Sequence, residues 1–309
     1  MERRLEDPAL HTVPCPLCRG ASVTPVMRDR RGPRLDDAAL VACTSLDHGS
    51  FGQIVACDGC GLRFRSPRED DATIVSLYAD VEDTLYLENE PARAATFSRA
   101  LRRLESHVPR RGPLLDVGCY TGAFLDVAVR GRWTVAGIEP SRWAAGIAAG
   151  KGHRVHCGTL AGAPFPRGSF AVVTMWDVLE HYADPVGELR RARELVPSGG
   201  YLVLTTMNID TRIVRLLRAR WPWYMRMHLW YFTPETVARA LTLAGWRVTH
   251  RHGYGHVVTW DYLLTKLGPY WRGGSAAGRA ALRRLHLSNR TLTVDLGDFM
   301  TVYAEKTGS

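Results

Sequence analysis

The sequence predicts an α/β fold with a largely parallel central sheet, preceded by a small N-terminal module that binds a metal ion. Short apolar runs alternate with helix-like stretches from residue 112 to residue 210, which is the order that a parallel sheet requires. Within this region, residues 114–122 read Leu-Leu-Asp-Val-Gly-Cys-Tyr-Thr-Gly, a buried strand followed by a glycine turn. Two Cys-x-x-Cys pairs near the N-terminus indicate the metal-binding module.

The composition sets the broad class of the protein. The chain has 309 residues, of which 46% are hydrophobic, enough for one large core and a small satellite domain. The start of the chain lacks an apolar run, and no stretch is apolar over the roughly 18 residues of a membrane span, so we expect a cytoplasmic protein with reduced cysteines. The net charge of +9 is compatible with binding to a nucleic acid, an anionic lipid surface or a phosphorylated substrate. It is equally compatible with an arginine-rich composition that has no binding role.

The N-terminal cysteines predict a structural zinc site. Two Cys-x-x-Cys turns, separated by 38 residues, supply the four thiolates that close a zinc coordination sphere. The four predicted ligands are Cys15, Cys18, Cys57 and Cys60. We therefore expect residues 1–66 to form a zinc-ribbon-like module with an irregular loop near residues 28–34. A redox pair, four free thiols and ligation by Cys43 with His48 are the alternatives.

The rest of the chain divides into a helical linker or lid over residues 67–110 and a large domain over residues 111–309. Cys119 and Cys157 are expected to be core thiols beside strands. The predicted strands lie near residues 113–117, 133–138, 153–157, 170–175, 200–206, 246–252 and 291–304, and the predicted helices near residues 72–78, 92–108, 122–130, 141–150 and 185–195.

The glycine turn and a second acidic strand end predict a site for a cofactor that contains a nucleoside. Such turns let backbone amides approach a ligand closely, and Glu139, at the end of the next strand, is placed to accept two ribose hydroxyls. A dinucleotide fingerprint requires glycine at the position of Tyr120. The carboxylate of Asp116 would also repel a pyrophosphate, but it would suit a cationic amino-acid group. An ordinary strand–turn–helix corner with surface acids is the alternative.

These residues resemble motif I of the class I S-adenosylmethionine (SAM) methyltransferases. The resemblance is colinear over residues 93–306 and includes a Leu-Glu-His triplet at residues 179–181. It implies a Rossmann-like sheet of seven strands with an antiparallel final strand, and SAM as the cofactor. In this family the first acid and the glycines hold the methionine part, and the second acid holds the ribose. The implied cofactor-binding residues are Asp116, Gly118, Cys119, Tyr120, Gly122, Glu139, Pro140, Thr159, Leu160, Trp176 and Asp177.

Methyl transfer from a sulfonium needs a positioned nucleophile and a base that removes its proton. The resemblance places His181 beside the methyl group as this base, with Glu180 as its partner. In the resembled sugar and quinone methyltransferases, this histidine sometimes acts together with a metal ion. Alternatively, His181 only caps the following helix or packs near the adenine. The residues expected on the acceptor side or in a lid are Tyr78, Tyr86, His228 and Trp230. For the two tyrosines, simple packing is an equal alternative.

Two insertions, near residues 211–230 and 254–288, extend the large domain. The first combines arginines with aromatic residues, which suits association with an anionic membrane surface or with a glycosyl ring. Alternatively, its arginines face solvent and its aromatic residues pack on the core. The second is predicted to be helical, with a break at Gly273 and Gly274, and to cap the acceptor pocket.

We therefore expect a SAM-dependent methyltransferase that acts on an oxygen or carbon atom of a small molecule such as a sugar, a glycolipid or a secondary metabolite. The four cysteines before the domain resemble those of sugar C-methyltransferases, which carry a longer C-terminal domain. An RNA methyltransferase that uses the zinc module to contact RNA is a second interpretation, and a non-catalytic SAM-binding scaffold is a third. The residues leave the accepting atom and the oligomeric state open.

Overall fold

A computed structural model of the chain describes residues 10–28, 41–44, 51–109, 111–268 and 271–308. Its largest sheet has seven strands in the spatial order β10-β13-β8-β7-β4-β5-β6. These strands are β4 (Leu114–Val117), β5 (Val135–Glu139), β6 (Arg154–Cys157), β7 (Val172–Trp176), β8 (Tyr201–Met207), β10 (Trp246–Gly253) and β13 (Phe299–Lys306). Strand β13 runs antiparallel to both of its neighbours. The predicted α/β class and the Rossmann-like sheet are confirmed.

Helices cover both faces of this sheet, because successive residues of each central strand point to opposite faces. In β7, for example, Val172 packs in one apolar cluster and Val173 in the other. The helices are α1 (Asp71–Ala79), α2 (Thr84–Glu88), α3 (Glu90–His107), α4 (Ala123–Arg130), α5 (Arg142–Gly150), α6 (Pro185–Glu194), α7 (Arg212–Leu217), α8 (Pro234–Leu243), α9 (Trp260–Leu267) and α10 (Arg272–Arg284). Helices α3 and α4 contribute to one cluster, whereas α6 and α8 contribute to the other.

A second sheet joins the N-terminal segment to a much later part of the chain. Strands β1 (Val23–Arg28), β2 (Gln53–Cys57) and β3 (Arg63–Arg65) form an antiparallel array, and β9 (Trp230–Tyr231) adds to its edge beside β3. The ring of Phe64 packs against that of Trp230, with their centroids 5.4 Å apart. The N-terminal module is therefore attached directly to the segment that follows His228.

The first insertion packs inward. Trp221, Tyr224 and Trp230 are all buried, as the core-packing alternative requires. Of the predicted loop at residues 28–34, only Arg28 belongs to the described part of the chain, and it ends β1. His48 also lies outside the described residues.

Four predictions about the C-terminal part and the cysteines differ from the structure. The second insertion, predicted to be helical, begins with a strand, β11 (His256–Thr259). The predicted final strand at residues 291–304 is two strands. The first, β12 (Thr291–Val294), pairs with β11, and only β13 joins the large sheet. Gly273 and Gly274 lie inside α10, so the helix break precedes them. Cys157, expected in the core, is exposed because β6 is the edge strand.

Candidate active site

The glycine turn after β4 is built from backbone that ordinary residues avoid. Gly118, Tyr120 and Gly122 have positive φ angles of 73°, 48° and 81°. A Cβ atom on Gly118 would lie 2.7 Å from Cγ2 of Val178, so this position needs glycine for two reasons. The tyrosine at position 120 adopts the left-handed conformation nevertheless, and its ring packs edge-on against Tyr86.

Two buried carboxylates flank this turn. Glu139 accepts hydrogen bonds from the backbone N–H of Tyr120 at 2.9 Å and of Ser141 at 2.8 Å, one on each oxygen. Burial raises the pKa of Glu139 to about 7, although these two bonds oppose the rise. Asp116 accepts a bond from the Thr174 hydroxyl at 2.7 Å, and burial raises its pKa to about 8. Both acids line the same large cavity.

Arg93 is a residue of this site that the sequence analysis missed. It lies in the first turn of α3, lines the cavity, and holds its guanidinium 4.0 Å from the ring centroid of Tyr86. Its Nε is buried without a hydrogen-bond partner in the part of the chain that the structure describes. A buried guanidinium is stabilised by an anion, and it binds carboxylates through paired donors. The only signal in the sequence was an arginine near the start of an amphipathic helix, which is common on any helix.

The cavity, of about 670 Å³, continues from these acids to the end of β7. There the backbone of Asp177 has a φ angle of 55°, and its carboxylate accepts a hydrogen bond from the Thr205 hydroxyl at 2.6 Å. Trp176 and Tyr254 stack with their ring centroids 6.3 Å apart. Beyond them, the cavity wall includes His256 of β11 and Leu263 of α9. The side chains named here make this part of the cavity largely aromatic and apolar.

His181 follows β7 in a single 3₁₀ turn, Leu179–His181, which places its ring at the cavity wall. Its Nδ1 lies 2.7 Å from the Tyr78 hydroxyl and 3.1 Å from the Met227 carbonyl oxygen. When Nδ1 carries the proton, it donates to that carbonyl, and Nε2 is the basic nitrogen. Burial lowers the pKa of His181 to about 4, so the imidazole is neutral at physiological pH.

Glu180 and His228 lie close to this histidine. Oε2 of Glu180 accepts a bond from the Thr206 hydroxyl at 2.9 Å, and Oε1 is buried without a partner among the described residues. Burial raises the pKa of Glu180. The rings of His181 and His228 have centroids 4.9 Å apart, and one potential ligand atom of each of the three side chains lies within 4.8 Å of the other two. This donor set is of a kind that holds divalent cations.

The position of His228 depends on the N-terminal module. The Leu229 N–H donates to the Glu180 carbonyl at 2.9 Å, and the Leu229 carbonyl accepts from the Arg65 N–H at 2.9 Å. The strand that carries Arg65 thus holds the His228 segment against the 3₁₀ turn. His228 itself places Nδ1 2.7 Å from the Trp223 carbonyl oxygen.

The four N-terminal cysteines converge as predicted. Their Sγ atoms all lie within 4.8 Å of one another, with Cys15 and Cys60 at 3.4 Å and Cys18 and Cys57 at 3.3 Å. Zinc–sulfur bonds of about 2.3 Å in a tetrahedron place sulfurs at about this separation, so the thiol set fits a zinc ion. Cys43, by contrast, lines the cavity and does not join this cluster.

The structure brings most of the predicted site residues to one cavity. Those that line it are Tyr78, Tyr86, Asp116, Gly118, Cys119, Tyr120, Glu139, Pro140, Thr159, Trp176, Asp177, Glu180, His181 and His228. Gly122, Leu160 and Trp230 are not among the lining residues. Trp230, expected on the acceptor side, is buried in the N-terminal sheet, where its indole N–H donates to the Tyr182 carbonyl at 2.6 Å. Its place in β9 explains why it does not reach the cavity.

Comparisons with known proteins agree with this geometry. A family model described as a methyltransferase domain matches residues 86–251, just over half of the chain. The chain is 30% identical over 176 residues to a ubiquinone biosynthesis O-methyltransferase of Rhodopseudomonas palustris, covering 52% of this chain and 68% of that protein. It is 29% identical over 181 residues to a protein of the same name from Cereibacter sphaeroides, covering 53% and 72%.

Among solved structures, the chain is similar to geranyl diphosphate C-methyltransferase from Streptomyces coelicolor A3(2). The TM-score is 0.45 at 17% identity, and the match covers 68% of this chain and 77% of that one. From the family match, the chain belongs to the methyltransferase-domain family. It is a SAM-dependent methyltransferase.

Proposed function

We propose that this enzyme transfers the methyl group of SAM to an oxygen or carbon atom of a small-molecule acceptor. The observation that carries the proposal is one continuous cavity, which joins the turn at Gly118 and Glu139 to the pair Glu180 and His181. Its apolar, aromatic wall suits a small organic molecule better than a flexible polyanion such as RNA.

The residues at the first end of the cavity fit the cofactor. The Glu139 carboxylate, held by two backbone N–H groups, is positioned to accept bonds from the ribose hydroxyls. The Arg93 guanidinium supplies the counter-charge for the methionine carboxylate, and Asp116 suits the ammonium group. A side chain at Gly118 would collide with Val178, which also lines the cavity. When bound, SAM supplies an activated methyl group, so the chain needs to orient the acceptor and accept its proton.

His181 is the proposed proton acceptor. Its imidazole is neutral at physiological pH, and Nδ1 is fixed by Tyr78 and Met227, which leaves Nε2 to take a proton from an acceptor hydroxyl. The Met227 carbonyl would stabilise the imidazolium that forms. One carboxyl oxygen of Glu180 lies within 4.8 Å of a ring nitrogen of His181, so Glu180 is the proposed partner of this base.

The relatives' name supports oxygen as the accepting atom. Two of them are ubiquinone biosynthesis O-methyltransferases, so hydroxylated intermediates of that kind are the first acceptors to test. We further propose a structural zinc ion at Cys15, Cys18, Cys57 and Cys60, whose role is to stabilise the N-terminal sheet that holds the His228 segment.

A methyl-transfer screen tests the proposed function. The full chain is incubated with SAM labelled in its methyl group, together with phenolic and other hydroxylated small molecules, sugars and RNA, and labelled products are identified by mass. We expect product from a small hydroxylated acceptor, strongly reduced in His181→Ala. Labelled RNA would favour the RNA methyltransferase. Binding of SAM without turnover of any acceptor, in wild type as in the variant, would favour the scaffold.

A further inference from the structure

The second insertion carries large apolar side chains on the outer surface of the molecule. Trp271 is 64% exposed and Leu285 is 65% exposed, and both flank helix α10. Among the described residues of 260–296, the other exposed large apolar side chains are Trp260, Leu267, Leu287 and Leu296. Several large apolar side chains exposed within one segment make it a candidate interaction surface.

The same segment is strongly basic. Residues 260–296 contain six basic side chains and two acidic ones, Asp261 and Asp295. The Asp261 carboxylate binds Arg279 at 3.0 Å, with Arg283 further off at 3.9 Å. Two carboxylates cannot neutralise six cationic side chains, and Arg284 and Arg290 are exposed. Exposed tryptophan and leucine side chains beside excess arginine form the composition that binds the interface of an anionic lipid bilayer.

This surface is continuous with the mouth of the active-site cavity. Leu267 of α9 and Leu296, after β12, line the cavity and are also 40% and 53% exposed. Leu263, one turn earlier in α9, lies on the cavity wall. Two apolar side chains of this surface therefore belong to the cavity wall as well.

We propose that the surface formed by residues 260–268 and 271–296 docks on anionic lipid, and that the acceptor is an amphipathic molecule taken from the bilayer. The second half of this statement rests on the proposed function, whereas the first does not. In the described part of the chain, no helix is long and apolar enough to cross a membrane, so the contact is interfacial. The proposed docking surface is separate from the arginine-rich first insertion, where Trp221 and Tyr224 are buried.

Vesicle flotation with the full chain tests the docking. Phosphatidylcholine vesicles are compared with vesicles that also contain phosphatidylglycerol, for wild type and for the double variant Trp271→Glu/Leu285→Glu. The matched control is Leu216→Glu, because Leu216 is 77% exposed but lies in the first insertion. We expect wild type to bind only the anionic vesicles, and added salt should weaken this binding. Binding should be about tenfold weaker in the double variant and unchanged in the Leu216→Glu control.

The controls separate this proposal from the proposed function. Neither Trp271 nor Leu285 lines the cavity, so SAM binding, measured by calorimetry, should be the same in the double variant as in wild type. That result also shows that the variant folds. Failure of wild type to bind anionic vesicles would overturn the docking, as would equal loss in Leu216→Glu. A dimer in ultracentrifugation that the double variant abolishes, without vesicle binding, would assign the surface to self-association instead.

Discussion

The two ends of the cavity are built in different ways. The cofactor end is formed by the carboxyl ends of the adjacent parallel strands β4 and β5 and the turn between β4 and α4, with Glu139 held by backbone N–H groups. The acceptor end is assembled from segments far apart in the chain, such as Tyr78 and His181, which meet across 103 positions. The first end is therefore a local, rigid unit, whereas the second depends on how distant segments pack.

A change at the acceptor end should give the largest effect, on the rate of methyl transfer. In His181→Ala we expect kcat to fall by about 1000-fold, because general base catalysis contributes 10²–10⁴-fold, while the affinity for SAM stays within about threefold. Steady-state kinetics with an acceptor from the methyl-transfer screen, together with calorimetry, check both values. Tyr78→Phe, which removes only the hydroxyl beside Nδ1, should cost far less. A parallel loss of SAM affinity in His181→Ala would show that the two ends are not independent.

A change at the cofactor end should act on affinity. Glu139→Ala removes both proposed ribose contacts, and hydrogen bonds to a charged group contribute about 1.5–3 kcal/mol each, so SAM affinity should fall by about 100-fold. Glu139→Gln keeps the shape of the side chain, and its affinity for SAM should lie between those of wild type and Glu139→Ala. Isothermal titration checks this order. Unchanged affinity in both variants would remove Glu139 from the cofactor site.

The turn itself should be sensitive to a single methyl group. In Gly118→Ala the new Cβ would meet Val178 at 2.7 Å in a backbone with positive φ, so we expect a loss of about 2 kcal/mol in the free energy of unfolding. The matched control is Gly146→Ala in the middle of α5, where nothing lies within 4 Å of the new Cβ. It should stabilise the protein by about 1 kcal/mol. Urea denaturation measures both, and similar values for the two variants would refute the strain at Gly118.

The smallest expected effect is a proton released when the cofactor binds. Burial raises the pKa of Glu139 to about 7 in the free protein, so a fraction of the molecules carry a protonated Glu139 at pH 6.5. Ribose hydroxyls donate to the carboxylate form, so binding lowers this pKa and releases the proton, and affinity rises with pH through this range. Calorimetry in two buffers with different ionisation enthalpies measures the release. Glu139→Gln should release fewer protons, and equal release would point to Asp116 instead.

The difference between a local cofactor end and an acceptor end assembled from distant segments also explains which site residues could be predicted from the sequence. Asp116, Gly118 and Glu139 were identified because a strand, a glycine turn and an acid at a fixed distance are local features. Arg93, Cys43 and His256 reach the cavity only through tertiary packing, so no spacing indicated them. Trp230 was misplaced because a two-residue strand pairing with β3 is invisible in the sequence. The sequence leaves the burial of Trp221 open, because arginine-rich aromatic segments suit both a core and a lipid surface.

Hydrogen–deuterium exchange of the full chain, with and without S-adenosylhomocysteine, tests most directly the claim that the cofactor binds at the β4–β5 end of one shared cavity. We expect slower exchange of amides in residues 116–124 and 139–142, with little change in residues 256–268. Protection confined to residues 256–268, or no protection in either region despite measured binding, would contradict the assignment of the cofactor end.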